Sequence, residues 1–173
     1  FLPTVNAMNQ EGRSFKGCLY FGLMLTKDGP KVIEYNCRFG DPETQVVLPM
    51  LETDLLTIMQ AVTEERLGDL EVRFRSGSAC CVVMASRGYP GAYEKGCAIF
   101  IPQELSDSVY IAGAELKDGR LVTGGGRVLG VNAVKKSLSE AVDAAYNMAG
   151  KISFENAYYR HDIGKRALEA LKD

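Results

Sequence analysis

Three polar residues at alternate positions of one apolar segment, Glu34, Asn36 and Arg38, form the pattern in this sequence best suited to chemistry. Side chains alternate faces along a β-strand, so these three share one face if residues 31–39 are extended. Same-face neighbours lie about 7 Å apart, which lets two oxygens converge on one ion. Carboxylate and amide oxygens suit Mg²⁺, and an arginine beside them suits a phosphate or carboxylate. The pattern indicates a metal–nucleotide site, although a solvated strand face has the same alternation.

The elements that would position these residues are a pair of strands. The second apolar segment, 18–26, is separated from 31–39 by Lys27-Asp28-Gly29-Pro30, a turn signal, so a β-hairpin is predicted. The other face of the 31–39 segment is largely apolar, which predicts a half-buried strand. The residues of that apolar face are Ile33, Tyr35, Cys37 and Phe39.

The rest of the chain is predicted to add a helix, a block of strands and a terminal helical part. Helical spacing begins near Leu55 and runs to about Arg66, with Gly68 as its end. Ser137 with Glu140 three residues later predicts a capped long helix, and a shorter helix is expected over 163–172. Short β segments are predicted at 78–86, 97–101, 108–116, 120–123 and 127–134. Strands gathered in one block with a helix at the end indicate the α+β class. We expect two domains, residues 1–70 and 71–173.

Composition narrows the function classes. The 173 residues are 46% hydrophobic and 24% charged, with a formal net charge of −2, which is typical of a globular protein and disfavours a nucleic-acid partner. No apolar run approaches the roughly 20 residues of a membrane helix, and no leader is present, so a cytoplasmic protein without a membrane partner is expected. The five cysteines form no C-x-x-C pair and read as reduced thiols. A first residue of Phe1 suggests a piece of something longer.

Several longer motifs carry a family resemblance. They are KVIEYNCRFGDPETQ at 31–45, GYPGAYEKG at 88–96, LVTGGGRVLGV at 121–131 and YYRHDIGKRAL at 158–168. In this order they resemble the glycinamide ribonucleotide synthetases, also called phosphoribosylamine–glycine ligases, which are ATP-grasp enzymes of purine biosynthesis. The resemblance covers nearly the whole chain and implies the carboxy-terminal part of an ATP-grasp fold followed by a small mixed β-sheet domain with a long helix.

The resemblance implies roles for the residues of the first motif. Glu34 and Asn36 would bind the Mg²⁺ or Mn²⁺ ion that holds ATP, and Arg38 would act on the transferred phosphoryl group. Asp41 and Glu43 would shape the substrate side of the site. The preceding strand, 18–26, contains no acidic residue, so metal ligation from this chain is expected to stop at two residues.

A glycine run gives a second candidate site. Consecutive glycines allow backbone N–H groups to approach an anion closely, and the arginine after Gly124-Gly125-Gly126 adds a fork of donors. A flexible hairpin turn is the alternative. The resemblance implies that Gly125, Gly126 and Arg127 hold the ribose phosphate. One departure lies upstream, where this chain has Ile111-Ala112-Gly113-Ala114 and the family commonly has His-Ala-Gly-Thr.

The implied activity belongs to a longer polypeptide. The family joins glycine to phosphoribosylamine through a glycyl phosphate, with ATP as co-substrate, and its phosphate-clamping lysines and lid lie on amino-terminal domains. The expected partners are therefore these small molecules and the missing amino-terminal part, and the 173 residues alone are expected to be inactive. Two alternatives stay open: a non-catalytic nucleotide- or partner-binding module that keeps half of an ATP-grasp fold, and another ATP-grasp carboxylate–amine ligase.

Overall fold

The computed structural model describes residues 1–171, which form two compact units. The first unit comprises Phe1–Asp41 and Leu51–Phe74, and the second joins Pro42–Met50 to the chain from Arg75 onward. The helices are α1 (Leu2–Gln10), α2 (Thr44–Val47), α3 (Leu55–Thr63), α4 (Leu138–Ala149) and α5 (Lys165–Ala170). The strands are β1 (Tyr20–Thr26), β2 (Gly29–Asn36), β3 (Ser78–Ser86), β4 (Val109–Ile111), β5 (Ala114–Lys117), β6 (Arg120–Thr123), β7 (Arg127–Lys135) and β8 (Ala157–Tyr158). The mixture confirms the α+β class, while a functional division at residues 70 and 71 stays a prediction.

The predicted hairpin forms the sheet of the first unit. Strands β1 and β2 pair antiparallel, and Thr26 opposite Gly29 is the last pair before the turn. The Thr26 hydroxyl closes the turn by donating to the Gly29 carbonyl at 2.8 Å and accepting from the Asp28 N–H at 3.2 Å. Gly29 has a φ of 93°, a left-handed conformation that glycine adopts without steric cost. The turn fixes the register as far as Leu23 opposite Val32. A β-bulge then shifts the pairing by one residue, which places Glu34 opposite Gly22 and Asn36 opposite Tyr20.

The prediction of a half-buried strand is wrong for β2. Ile33 is 63% exposed and Tyr35 is 47% exposed. The Phe21 ring makes edge-to-face contacts with Phe1, at a centroid distance of 4.5 Å, and with Tyr35, at 5.1 Å. These aromatic contacts cover only part of the two-stranded sheet. The alternation of apolar and polar residues therefore indicates two different faces of the strand, but it does not show that either face is buried.

Helix α3 begins at a side-chain cap and ends earlier than predicted. The Asp54 carboxylate accepts from the Thr57 N–H at 2.8 Å and from the Thr57 hydroxyl at 3.0 Å. These hydrogen bonds, the backbone one first, lower the pKa of Asp54 below its usual value. The helix ends at Thr63, and Glu65 adopts a φ of 58°, so the chain leaves the helical path before Gly68.

The second unit is a four-stranded antiparallel sheet in the order β4-β7-β3-β8 with helix α4 packed on it. The predicted capping box at α4 is confirmed, because the Glu140 N–H donates to Ser137 Oγ at 3.3 Å and the Ser137 N–H donates to Glu140 Oε2 at 3.1 Å. Removing apolar side chains from water between sheet and helix is the main stabilising term here. The fully buried core residues include Val82, Met84, Leu129, Val131, Ala141 and Ala145.

Two predicted strands differ from the structure. Residues 97–101 form only isolated bridges, Ala98 with Val122 and Phe100 with Ser153, so the strand prediction there is wrong. The predicted strand 108–116 is divided, because β4 pairs with β7 whereas β5 pairs with β6. The change of partner falls at Ala112 and Gly113, which lie in neither strand.

The final helix of the structure is shorter than the predicted one. Helix α5 covers Lys165–Ala170, and residue 172 of the prediction lies outside the described residues. Between residues 1 and 171, no helix combines the length and the apolar character that crossing a membrane requires.

Candidate functional site

The side chain of Glu34 lies against a glycine on the neighbouring strand. Glu34 is paired with Gly22, and a Cβ atom added to Gly22 would lie 2.9 Å from Glu34 Cγ. Such a contact is too close for a real side chain, so glycine at position 22 leaves the room into which the Glu34 side chain extends. The local sequence of β1 is therefore adapted to the carboxylate on β2.

The structure brings Glu34 and Asn36 into direct contact. Asn36 Nδ2 donates to Glu34 Oε1 at 3.1 Å, as expected for same-face neighbours two residues apart. Because the amide nitrogen makes this hydrogen bond, the Asn36 Oδ1 atom and the second Glu34 oxygen are the atoms suited to a cation. One carboxylate and one amide oxygen fit Mg²⁺, which keeps waters and takes phosphate oxygens as further ligands.

The described residues contain no group of three or more His, Cys, Asp or Glu side chains that could hold a metal ion. A cation at the Glu34–Asn36 pair would therefore need ligands from water and from a bound molecule. This is the ordinary situation of a magnesium–nucleotide site, in which the protein supplies one or two ligands.

Arg38 does not continue the row of side chains on the strand. Strand β2 ends at Asn36, so the predicted strand 31–39 is three residues too long at this end. The Arg38 guanidinium, through Nη1, donates to the Phe39 carbonyl at 2.8 Å and is exposed. The other guanidinium nitrogens keep the capacity to donate to an anion.

Asp41 and Glu43 lie on either side of the point in the chain where the first unit gives way to the second, between residues 41 and 42. Asp41 is exposed and ends the first segment of the first unit, whereas Glu43 belongs to the second unit. Glu43 is half-buried at the N-cap position of α2, and its carbonyl accepts from the Val46 N–H at 3.0 Å and the Val47 N–H at 2.9 Å. The backbone at Glu43 is therefore fixed by the helix that it begins.

The glycine run in the second unit is held by the chain segment before it. The N–H groups of Gly124 and Gly125 both donate to the Gly113 carbonyl, at 2.8 and 2.9 Å. A Cβ atom on Gly113 would lie 2.4 Å from the Arg127 carbonyl oxygen, so this close approach requires glycine. Two of the three glycine amides are thus used within the fold, and a backbone cradle for an anion cannot include them as they stand.

Gly113 belongs to the segment in which the sequence departs from the family pattern. Ile111 ends β4 and Ala114 begins β5. These are the two positions at which the resemblance implies a histidine and a threonine. The structural requirement in this segment falls on Gly113, which this chain retains. The change at Ile111 and Ala114 leaves the support of the glycine run intact.

The Tyr89 ring lies against the glycine run, a contact between distant positions that the sequence pattern does not predict. A Cβ atom on Gly126 would lie 2.0 Å from Tyr89 Cδ2, so the aromatic ring packs directly on the glycine backbone. The Tyr93 ring stands edge-to-face to Tyr89 at a centroid distance of 6.2 Å. A cavity of about 350 Å³ opens beside this loop. Its lining residues are Arg87, Ala92, Tyr93, Glu94 and Asn156.

Two glycine-containing motifs of the sequence, at 88–96 and at 124–126, could have pointed to this contact of Tyr89. GYPGAYEKG places aromatic rings on a tight loop, and the Gly124–Gly126 run offers a surface without side chains. An aromatic ring and a bare backbone are complementary in shape, but their contact joins positions that lie far apart in the chain. Pairing them needs the register of β3 with β7, which the sequence pattern does not report.

Comparison with known proteins supplies the class and the family. The model for the ATP-grasp (A) domain of phosphoribosylglycinamide synthetase matches residues 1–44, and the model for the C domain of the same enzyme matches residues 79–166. The biotin carboxylase domain of a 2-oxoglutarate carboxylase from Hydrogenobacter thermophilus superposes with a TM-score of 0.59 at 15% identity, which shows the fold alone. The fold is thus that of the ATP-grasp proteins. The chain belongs to the phosphoribosylglycinamide synthetase family.

Individual relatives agree over almost the whole chain. A phosphoribosylamine–glycine ligase of Caldanaerobacter subterraneus is 52% identical over 93% of this chain and 39% of its own length. The human trifunctional purine biosynthetic protein adenosine-3 is 49% identical over 98% of this chain and 17% of its own length. The crystal structure of the Thermotoga maritima phosphoribosylamine–glycine ligase superposes with a TM-score of 0.80 at 41% identity, over 90% of this chain and 39% of that one. The chain therefore spans about two fifths or less of the relatives that it matches.

Proposed function

We propose that this chain is the carboxy-terminal part of a phosphoribosylamine–glycine ligase, which joins glycine to phosphoribosylamine with hydrolysis of ATP in purine biosynthesis. The observation that carries the proposal is family membership together with the contact between Glu34 and Asn36 at 3.1 Å. Relatives with about half of their residues identical over this length bear the ligase name. Since the chain spans about two fifths of those relatives, the activity is assigned to a longer polypeptide that contains it.

Glu34 and Asn36 are proposed to hold the divalent cation, Mg²⁺ or Mn²⁺, that accompanies ATP. When bound, the cation neutralises charge on the ATP phosphates. The Asn36–Glu34 hydrogen bond orients both side chains before the nucleotide arrives, which lowers the entropy lost on binding. Gly22 contributes by leaving space for the Glu34 side chain.

Arg38 is proposed to act on the phosphoryl group that moves. In the reaction, a glycine carboxylate oxygen bonds to the γ-phosphorus as the bond to ADP breaks, which gives glycyl phosphate and ADP. The amine of phosphoribosylamine then attacks the glycyl carbonyl carbon, and inorganic phosphate leaves as the amide forms and a proton is released. A guanidinium that donates to the transferred oxygens stabilises the negative charge of both steps.

The remaining predicted residues are assigned to the substrates. Asp41 and Glu43 are proposed to border the substrate side of the site, where carboxylates suit hydroxyl and ammonium donors. Arg127 and the glycine run are proposed to hold the ribose phosphate, for which a guanidinium fork is a suitable partner. The hydrogen bonds from Gly124 and Gly125 to Gly113 narrow the backbone part of this assignment to Gly126.

The experiment that tests the metal assignment uses Glu34→Gln in the full-length ligase. Replacing the carboxylate by an amide removes a ligand charge, and we expect the ligase rate to fall about a hundredfold or more. Glu52→Gln, an exposed change in the same unit, is the matched control and is expected to leave the rate unchanged. Steady-state assays of both variants, with thermal unfolding to verify the fold, give the comparison. Normal turnover by Glu34→Gln would exclude Glu34 as the metal ligand.

The substrate assignment is tested separately. Full-length protein is assayed with several carboxylates and several amines in the presence of ATP, and release of phosphate is measured. We expect turnover with glycine and phosphoribosylamine. Turnover with another carboxylate or amine, and none with this pair, would identify a different ATP-grasp ligase.

A further inference from the structure

The glycine run before Arg127 is held in one orientation by a buried serine of β3. Ser86 is only 3% exposed, and its N–H donates to the Gly126 carbonyl at 2.8 Å. Its hydroxyl donates to the Gly125 carbonyl at 3.2 Å. One residue therefore holds two successive carbonyl groups of the run.

The orientation of the next amide follows from peptide geometry. The peptide bond between Gly125 and Gly126 is trans, since the cis bond of the described chain is Tyr89-Pro90. In a trans peptide the C=O and N–H groups point in opposite directions. Because the Gly125 carbonyl points at the Ser86 hydroxyl, the Gly126 N–H points to the opposite side of the run.

The other two amides of the run cannot serve the same purpose. Gly124 and Gly125 donate their N–H groups to the Gly113 carbonyl at 2.8 and 2.9 Å. The Tyr89 ring packs on the Gly126 backbone and adds a second restraint on this peptide. The orientation of a glycine backbone has many alternatives, so fixing it in advance requires contacts of this kind.

We propose that Ser86 is a positioning residue, which aims the Gly126 N–H at the phosphate of the phosphorylated sugar substrate and so makes Gly126, rather than Gly124 or Gly125, the backbone donor to that anion. This inference rests on the proposed function, in which Arg127 and the glycine run hold the ribose phosphate. Ser86 itself does not touch the substrate. Its hydroxyl acts through the Gly125 carbonyl, and the anion receives one N–H from Gly126 together with the guanidinium of Arg127.

The first test is an NMR titration of the ¹⁵N-labelled 173-residue chain with ribose 5-phosphate. The Gly126 amide signal is expected to move toward lower field, as for an N–H that gains a charged acceptor, while the Gly124 and Gly125 signals stay in place. Inorganic phosphate is expected to move the same signal, and ribose without phosphate is expected to leave it unchanged. Movement of Gly124 or Gly125 in place of Gly126, or no movement of any of the three, overturns the inference.

The second test compares variants of Ser86 for ribose 5-phosphate affinity. Ser86→Ala removes the hydroxyl and is expected to weaken binding about fivefold, the value of one hydrogen bond. Ser86→Thr keeps the hydroxyl and is expected to restore most of the affinity. Ser106→Ala, an exposed change in the same unit, is the matched control with wild-type affinity. Wild-type affinity of a folded Ser86→Ala chain contradicts the positioning role.

Failure of this inference can be distinguished from failure of the proposed phosphate site. Arg127→Ala is measured in the same titration. If Arg127→Ala weakens ribose 5-phosphate binding while the Gly126 signal of the wild-type chain does not respond, the site stands and the role of Ser86 is wrong. If Arg127→Ala has no effect and no amide of the run responds, the phosphate assignment itself fails, and the inference fails with it.

Discussion

At the residue scale, Tyr146 shows how one side chain can hold the end of the second unit. Its hydroxyl donates to the Arg160 carbonyl at 2.7 Å and accepts from the Ile163 N–H at 3.0 Å. Burial is the main cause that raises the pKa of Tyr146 above its usual value. The phenol therefore anchors the segment before α5 to helix α4 in its neutral form.

Tyr146→Phe is expected to lower the free energy of unfolding by about 1–2 kcal/mol, because the part-buried Ile163 N–H loses its acceptor. Urea unfolding of wild type and variant at pH 7 gives this difference. Tyr110→Phe on the exposed strand β4 is the control and is expected to change little. An unchanged midpoint for Tyr146→Phe would show that the hydrogen bonds do not stabilise the fold.

The same tyrosine predicts a pH dependence of the stability. A pKa that is higher in the folded state means that the folded chain keeps a proton that the unfolded chain has lost, so the stability contribution is complete below the ordinary tyrosine pKa of about 10. It is lost as the pH rises from that value through the folded pKa. The unfolding midpoint of the wild type should therefore fall more steeply above pH 10 than that of Tyr146→Phe. Parallel curves would contradict the prediction.

At the element scale, helix α4 depends on its capping box. Ser137→Ala removes the oxygen that accepts from the Glu140 N–H and is expected to cost about 1 kcal/mol. For a chain of this length, such a loss corresponds to a thermal midpoint lower by about 2–4 °C. Ser139→Ala, two residues further along the same helix, places a better helix former at an exposed position and is expected to be neutral or stabilising. Equal effects of the two substitutions on the midpoint would exclude a special role for the cap.

The elements that could be predicted from the sequence are those with local signals. The capping box at Ser137 and Glu140 predicted the start of α4, and the apolar run at 78–86 predicted β3 with its observed bounds. The short helix α2 and the two-residue strand β8 have too few residues for a periodic pattern, since they exist through contacts with the rest of the second unit. The strand predicted at 97–101 is absent for a different reason. The segment changes partner within three residues, since Ala98 bridges to Val122 and Phe100 bridges to Ser153, so neither pairing extends into a strand.

The residues of the candidate site also fall into those that a local pattern predicts and those that depend on distant parts of the chain. Alternation along one segment predicted that Glu34 and Asn36 lie side by side, and their contact needs nothing beyond β2 itself. The support of the glycine run could not be predicted, because Ser86, Gly113 and Gly125 meet only through the pairing of separate strands. Pattern reasoning therefore finds candidate binding residues that lie on one strand more readily than residues on other strands that support them.

At the scale of the whole molecule, the 173 residues alone are expected to have no ligase activity. The chain spans about two fifths of the ligases that it matches, and the groups that clamp the ATP phosphates are expected in the remaining part. Activity should appear only in the full-length ligase, measured as ADP release that depends on both glycine and phosphoribosylamine. A calorimetric titration with Mg²⁺ and ATP should show binding by the isolated chain that is much weaker than binding by the full-length protein. Turnover by the isolated chain would show that these 173 residues are sufficient for ligase activity.

The discontinuity of the two units has a consequence for synthesis on the ribosome. Gln45 belongs to the second unit and packs over Gly130, where an added Cβ would lie 3.7 Å from Gln45 Cγ. At about 5–20 residues per second, the ribosome makes Gly130 roughly 4–17 s after Gln45. Residues 42–50 must therefore wait, exposed on the nascent polypeptide, until the strand that receives them has been translated. The second unit can complete its fold only after β7 has been translated, whereas the hairpin of β1 and β2 can close as soon as it leaves the exit tunnel.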